Sequence, residues 1–160
     1  MTDNSQPSRP LAGVRVLDLT QFLSGPYATM ILGDLGAEVI KVEPPQGDAT
    51  RSIPPNFVGA DSAYYLSINR NKSSIAIDLK KPSGRELLQR LAGASDIVIE
   101  NYRPGVIDRL GLGYRELSQT HPAIIWASIS GFGQDGPYRD YPAYDMIVQA
   151  LSGGMSLTGE

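Results

Sequence analysis

The chain contains no cysteine. Disulfides, zinc–thiolate centres and thiol nucleophiles are therefore excluded. Its single histidine, His121, stands before Pro122 in what reads as a connection between elements. A surface position is expected for it rather than metal ligation or base catalysis. The G-x-S-x-G elbow of serine hydrolases is also missing, so a Ser-His-Asp centre has no support. No segment approaches the roughly 18 apolar residues that span a bilayer, and the opening MTDNSQPSRP lacks the apolar stretch of a secretion signal. Residues 1–10 are expected to form a flexible tail on a cytoplasmic protein. Excess charge of one sign is lacking too: 14 Lys and Arg face 17 Asp and Glu, for a net charge of −3 and a pI near 5.1. Neither nucleic acid nor an anionic membrane is expected as a partner, while a local basic pocket for a phosphate stays compatible with this balance.

What is present is an alternation of strand and helix signals. With 41% hydrophobic residues over 160 positions, there is enough apolar material for one domain or part of a larger one. Val14–Leu19 reads as a buried strand. The loop Gln21–Pro26 leads into a helix over Tyr27–Leu35, with Ser24 or Gly25 as cap and Met30, Ile31 and Leu35 at helical spacing. Ala37–Val42 is a second buried strand, which closes a β-α-β unit and implies parallel pairing. Gln46–Gly59 reads as irregular loop, Asp61–Arg70 as holding a short helix, and Ser74–Leu79 as an edge strand alternating Ile75, Ile77 and Leu79. Pro82–Ala92 predicts a helix with a Ser83–Glu86 capping box and a Leu87, Leu88, Leu91 stripe. A strand at Asp96–Ile99, short helices from Val106 and over Tyr114–Thr120, a strand within Ala123–Ser130 and a last helix over Tyr144–Leu151 complete the chain. The pattern predicts an α/β fold: a Rossmann-like, doubly wound, mainly parallel sheet.

The stretch DIVIENYRPGVIDRL, Asp96–Leu110, carries the strongest site signal. An apolar strand turns polar at once, and Pro104-Gly105 then opens a helix. Ligands of open α/β sheets bind at such strand ends. Asn101, Tyr102, Arg103 and Arg109 bring an amide, an aromatic face and two cations there. A nicotinamide dinucleotide is disfavoured although Glu43 could serve as a ribose ligand, because the first βα turn, Thr20–Pro26, holds only Gly25 and no G-x-G-x-x-G. Arg70, Lys72, Lys80 and Lys81 form the densest cationic cluster. Lys72, Lys80, Arg103 and Arg109 with Tyr102 and Tyr144 suit a phosphorylated adenine nucleotide, its ring stacked on an aromatic and its phosphates on cations.

Three longer segments carry a family resemblance: LAGVRVLDLTQFLSGPYATMILGDLGAEVIKVEPPQGDATR, NRNKSSIAIDLKKPSGRELLQRLAGASDIVIENYRPGVIDRLGLGY and SISGFGQDGPYRDYPAYDMIVQALSGGMSLTGE. From Leu11 to Glu160 the chain resembles the family III coenzyme A transferases, the group of formyl-CoA and carnitine-CoA transferases. The resemblance implies a Rossmann-like large domain that binds CoA, an interlocked homodimer, and transfer of CoA from an acyl-CoA thioester to a carboxylic acid. No prosthetic group or metal is implied; coenzyme A and acyl-CoA are substrates. Carried onto this sequence, Leu23 and Ser24 would line the thioester end. Ile77, Asp78, Leu79 and Lys80, with Asn101, Tyr102, Arg103 and Arg109, would hold the adenosine and phosphate end. Ala143, Tyr144 and Asp145 would flank the pantetheine and the reacting carbonyl.

The same resemblance marks departures. Leu23 stands where formyl-CoA transferases carry a glutamine, which implies an acyl substrate other than formyl-CoA or oxalate, and Pro44 stands where they place a cation. The family's nucleophile is an aspartate that forms an aspartyl anhydride and then an aspartyl-CoA thioester. It is expected beyond Glu160, so residues 11–160 are expected to be the N-terminal part of the large domain, without a catalytic residue of their own and without transferase turnover alone. An α-methylacyl-CoA racemase is the nearest alternative, but racemases carry a histidine before the aspartate of the A-Y-D motif, where this chain has Tyr144, and a phenol, which in general titrates near 10, is a poor base. A non-catalytic CoA-binding fragment is the alternative from another class.

Overall fold

The computed structural model describes residues 9–159; residues 1–8 of the expected tail, and Glu160, lie outside them. In chain order the elements are β1 (Arg15–Leu19), α1 (Ser24–Asp34), β2 (Glu38–Glu43), β3 (Phe57–Val58), β4 (Asp61–Ser62), α2 (Ala63–Ile68) and β5 (Lys72–Ala76). There follow α3 (Pro82–Gly93), β6 (Ile97–Glu100), α4 (Val106–Arg109), α5 (Tyr114–Thr120), β7 (Ile125–Ser128), α6 (Asp145–Leu151) and α7 (Gly154–Thr158). Five strands form one sheet in the order β5-β2-β1-β6-β7, parallel throughout. The chain winds from β1 outward to β2 and β5, then returns to the other side of β1 for β6 and β7. The carboxyl ends of β1 and β6 therefore flank the point where the winding reverses.

The short apolar runs form central strands because both faces of the sheet are covered. Successive side chains of a strand point to opposite faces. Leu17, Leu19, Val42 and Val98 accordingly pack with Leu88, Ala92, Ile107, Leu112 and Leu117 in one core. Val16, Val39 and Ile99 pack with Ala37, Val14 and Leu32 in another. Leu17 and Val98 are fully buried, and each such side chain stabilises the fold by about 1.5–3 kcal/mol.

Several local details differ from the sequence reading. Helix α1 begins at Ser24 itself, with Leu23 as N-cap and no side-chain cap. Its inner face is Gly25, Pro26, Thr29, Met30 and Gly33, while Ile31 and Leu35 lie outside. The reason is close approach at the start of the helix: a Cβ at Gly25 would fall on the Thr20 side chain, so small residues face the sheet there, with Met30 buried further along. Helix α3 starts at Pro82 as read, with its fixed φ suited to the first turn, but Ser83 does not cap it; the N-cap is Lys81, two residues earlier, with no side-chain cap. Pro104 precedes α4, whose N-cap is Gly105 in the left-handed region at φ 77°. The stretch read as loop over Gln46–Gly59 holds a 3-10 turn at Ala49–Ser52, and its end enters the β3–β4 ribbon. His121 is half-buried over Gly93, where a Cβ would strike the imidazole. Arg9 and Pro10 are not free tail: Ala12 N donates to Arg9 O and Leu11 N to Leu35 O, both at 3.0 Å.

Gly84, in the first turn of α3, sets the approach of that helix to the loop after β5, because a Cβ there would fall on the Asp78 carbonyl oxygen. Gly84→Ala is expected to cost about 1–3 kcal/mol through this overpacking. The midpoint of urea unfolding checks it, and an unchanged midpoint would contradict the contact.

Candidate functional site

Two strands that read as apolar runs carry charges into the interior. Asp18 on β1 and Lys41 on β2 are register partners, 0% and 1% exposed. Buried charges are tolerated when paired and hydrogen-bonded. Asp18 Oδ1 accepts from Thr20 N at 2.9 Å and Thr20 Oγ1 at 2.5 Å. Its Oδ2 accepts from Thr29 Oγ1 at 2.6 Å and Lys72 Nζ at 3.0 Å. Lys41 Nζ donates to Thr20 O at 2.8 Å and forms an ion pair at 2.8 Å with Asp48 Oδ2, an atom with no aligned hydrogen-bond partner. The other Asp48 oxygen caps the 3-10 turn through Thr50 N and Oγ1.

Glu43, on the same side of β2 as Lys41, fixes the rest of the following loop. Arg51 donates to both its oxygens at 2.7 Å, Ser74 Oγ at 2.6 Å, Asp48 N at 2.7 Å and Tyr65 OH at 2.9 Å. The guanidinium carbon of Arg51 lies 3.9 Å from the centre of the Tyr65 ring, a cation–π contact. Burial works against the Glu43 carboxylate, yet the hydrogen bonds from Arg51, Ser74, Asp48 N and Tyr65 outweigh it and hold its pKa down at about 2. The loop after β2 is thus pinned to the strand beneath it.

Over this pinned floor lie adjoining clefts. One, of about 410 Å³, is lined by Gln21, Val42–Gln46, Ile77–Lys80, Tyr102 and Leu110. The other, of about 430 Å³, is lined by Gln21, Pro44, Gln46–Ala49, Arg51 and Ser52. The first is mostly apolar, with Val42, Ile77, Leu79, Leu110 and the Tyr102 ring as walls and the exposed Lys80 at its edge. Burial, reinforced by the charges of Glu100 and Asp18, pushes the Tyr102 phenol up to about 12, so it is neutral near pH 7 and suits stacking rather than base catalysis. Glu100, at the end of β6, is buried, which raises its carboxyl pKa, while Tyr102 N donates to it at 2.8 Å.

Of the residues singled out in the sequence, Ile77, Asp78, Leu79, Lys80 and Tyr102 share the apolar cleft. Asn101 stands beside it with its amide engaged: Nδ2 donates to Gln21 O at 2.7 Å and Oδ1 accepts from Gln21 N at 2.8 Å. Arg103 and Arg109 are exposed on the turn and helix that follow. Leu23 and Ser24 sit exposed at the start of α1, outside both linings. Ala143 packs on Gly131, Tyr144 is 67% exposed, and Asp145 accepts from Gln149 Nε2 at 2.5 Å; none of them lines either cleft. The expected cationic cluster is dispersed. Arg70 pairs with Asp34, Lys81 faces Asp78 at 4.0 Å, and Lys72 is an interior residue paired with Asp18. Lys72 is therefore not available to a ligand, and its burial draws its pKa down against the pull of Asp18.

Sequence reasoning missed Gln21, Lys41 and Asp48. A readable signal existed: Lys41 and Glu43 interrupt a buried apolar strand at alternate positions, and such charges require partners nearby. Among the described residues no cluster of metal-ligating side chains occurs, and no helix is long and apolar enough to cross a membrane.

The sheet and its clefts can be set against known proteins. A family model described as CoA-transferase family III matches residues 11–160. The chain belongs to that family. It is 53% identical to human succinyl-CoA:glutarate CoA-transferase, over 94% of this chain and 35% of that protein. It is 50% identical to the acetyl-CoA:oxalate CoA-transferase of Acetobacter aceti, over 99% of this chain and 41% of that one. Among solved structures, a CAIB/BAIF family protein from Brucella suis superposes with a TM-score of 0.91 at 44% identity, covering 96% of this chain and 42% of the other. The chain thus spans about two fifths or less of the length of these relatives.

Proposed function

We propose that this chain is the CoA-binding N-terminal part of a CoA transferase that moves CoA from an acyl-CoA thioester to a free carboxylic acid. The observation that carries the reading is the apolar cleft at the carboxyl ends of β2, β5 and β6, where Ile77–Lys80 and Tyr102 meet in a member of CoA-transferase family III. In this reading the adenosine stacks on the Tyr102 ring and the apolar wall, and the phosphates reach Lys80 and the exposed Arg103 and Arg109. Asn101 holds the loop after β1 in place. Leu23, Ser24 and Ala143–Asp145 complete the acyl end when the rest of the protein is packed against them, within an interlocked homodimer. The location is cytoplasmic.

The transfer itself runs through an aspartate outside these residues. Its carboxylate attacks the thioester carbonyl and expels CoA thiolate, which leaves a mixed anhydride. The thiolate then attacks the aspartyl carbonyl, giving aspartyl-CoA and freeing the first acid. The acceptor carboxylate attacks that thioester, and returning thiolate cleaves the second anhydride at the acceptor's carbonyl, which restores the aspartate. Because relatives are named for succinyl-CoA and glutarate, small dicarboxylic acids are the acceptor class we infer. The whole protein incubated with succinyl-CoA and glutarate is expected to yield glutaryl-CoA by chromatography. No acyl exchange with any dicarboxylate, together with deuterium wash-in at the α-carbon of a 2-methylacyl-CoA, would replace the reading with the racemase one. CoA binding without either reaction would leave a binding fragment.

A further inference from the structure

Gln21 occupies the junction of the two clefts and lines both. Its backbone is held on both sides. The preceding carbonyl, Thr20 O, accepts from the buried Lys41 ammonium at 2.8 Å, and its own N–H and C=O form the reciprocal pair with the Asn101 amide at 2.8 and 2.7 Å. Those contacts tie the loop after β1 to β2 and to the loop after β6. The Gln21 side-chain amide, by contrast, takes part in none of the hydrogen bonds among the described residues. Pro44 and Gln46 also border both clefts, but proline has no side-chain donor and Gln46 is exposed on the loop, whereas Gln21 is half-buried. A fixed backbone carrying an unengaged primary amide leaves only the side-chain rotamers to be ordered when it meets a ligand.

The two clefts differ in what they offer. The first is mostly apolar, while the second is nearly evenly mixed and presents Gln46, Ser52 and the partly exposed Arg51. The buried charges beneath are already paired with each other, so the second cleft offers hydrogen bonds rather than a strong net charge. We propose that Gln21 is a specificity-determining residue whose Nε2 donates to an oxygen of the acyl group, a carboxylate or a carbonyl, where that group passes from the apolar cleft into the mixed one that offers hydrogen-bonding groups. This inference rests on the reading that the apolar cleft holds CoA. A primary amide suits this task, since it donates to either oxygen without titrating at any pH near neutrality.

Calorimetric titration of the whole protein tests it with three probes: CoA, and the unreactive dethia ketone analogues of succinyl-CoA and butyryl-CoA, which keep the acyl carbonyl. Gln21→Leu is expected to weaken the succinyl analogue about tenfold or more while CoA binding stays within about twofold. A loss confined to the succinyl analogue assigns the carboxylate as the partner; an equal loss for both analogues assigns the carbonyl. Gln21→Glu, which keeps the side-chain length, is expected to weaken the succinyl analogue and spare CoA as well, and Gln21→Asn to recover part of the affinity. Equal weakening of CoA and both analogues, or no change in any of them, would overturn the inference while leaving the CoA reading intact. If the unsubstituted protein binds neither CoA nor the analogues, both fall.

Discussion

Glu43→Leu is expected to lower the stability of the fold by about 3–5 kcal/mol, the range for removing one partner of a buried ion pair. The substitution leaves the Arg51 guanidinium, the Tyr65 hydroxyl, the Ser74 hydroxyl and Asp48 N without their shared acceptor. Arg51 keeps 30% of its side chain in solvent, so part of its charge stays hydrated and the lower end of the range applies. The same carboxylate makes stability depend on acid. Its folded pKa is about 2 against an ordinary value of 4.5. The unfolded chain therefore takes up the proton first as pH falls. The contribution is fully present above about pH 4.5 and is lost progressively as the pH drops toward 2. Urea unfolding at pH 7 and at pH 3 checks both statements: the wild type should lose stability between them, and Glu43→Gln should lose less. A Glu43→Leu midpoint equal to that of the wild type would show that the loop after β2 is not held by this residue.

The second large effect is on binding. Tyr102→Ala is expected to weaken CoA about ten- to hundredfold, the scale of an aromatic ring stacked on a base. Tyr102 lines the apolar cleft and packs against the core beneath it, so its ring is fixed before any ligand arrives. Tyr141→Ala serves as the comparison, because Tyr141 is 61% exposed and borders neither cleft. Equal affinities for the two variants would remove the adenine from Tyr102.

The sheet was legible because its strands are short apolar runs punctuated by glycine and proline, and four of the five main strands fall within about two residues of the positions read from the sequence; β5 starts two residues earlier and ends three residues earlier than read. Part of the cleft lining was legible as well: Lys80 and Tyr102 were singled out from the residues themselves and Ile77–Leu79 through the family resemblance, and they line one cleft. What pattern reading could not supply was pairing across the chain. Lys72 looked like a surface cation beside Arg70 and Lys81, yet its ammonium lies against Asp18, 54 residues earlier in the sequence. Asn101 looked like a free amide at a strand end, yet it is bound to Gln21. Lys41 looked like part of a buried apolar strand and Glu43 like a possible ribose ligand at its end, yet both fix the wall of the site from inside. Each depends on a partner brought close only by the sheet order, which sequence periodicity does not contain.

The most direct test of the account is the hydrogen-exchange footprint of CoA on the whole protein. Protection that includes Gln21 and residues 42–52, 77–80 and 101–110 is the predicted result, because CoA would lie across the carboxyl ends of β1, β2, β5 and β6. Protection that spares these segments and falls instead on α6 and α7, or no protection at saturating CoA, would contradict it.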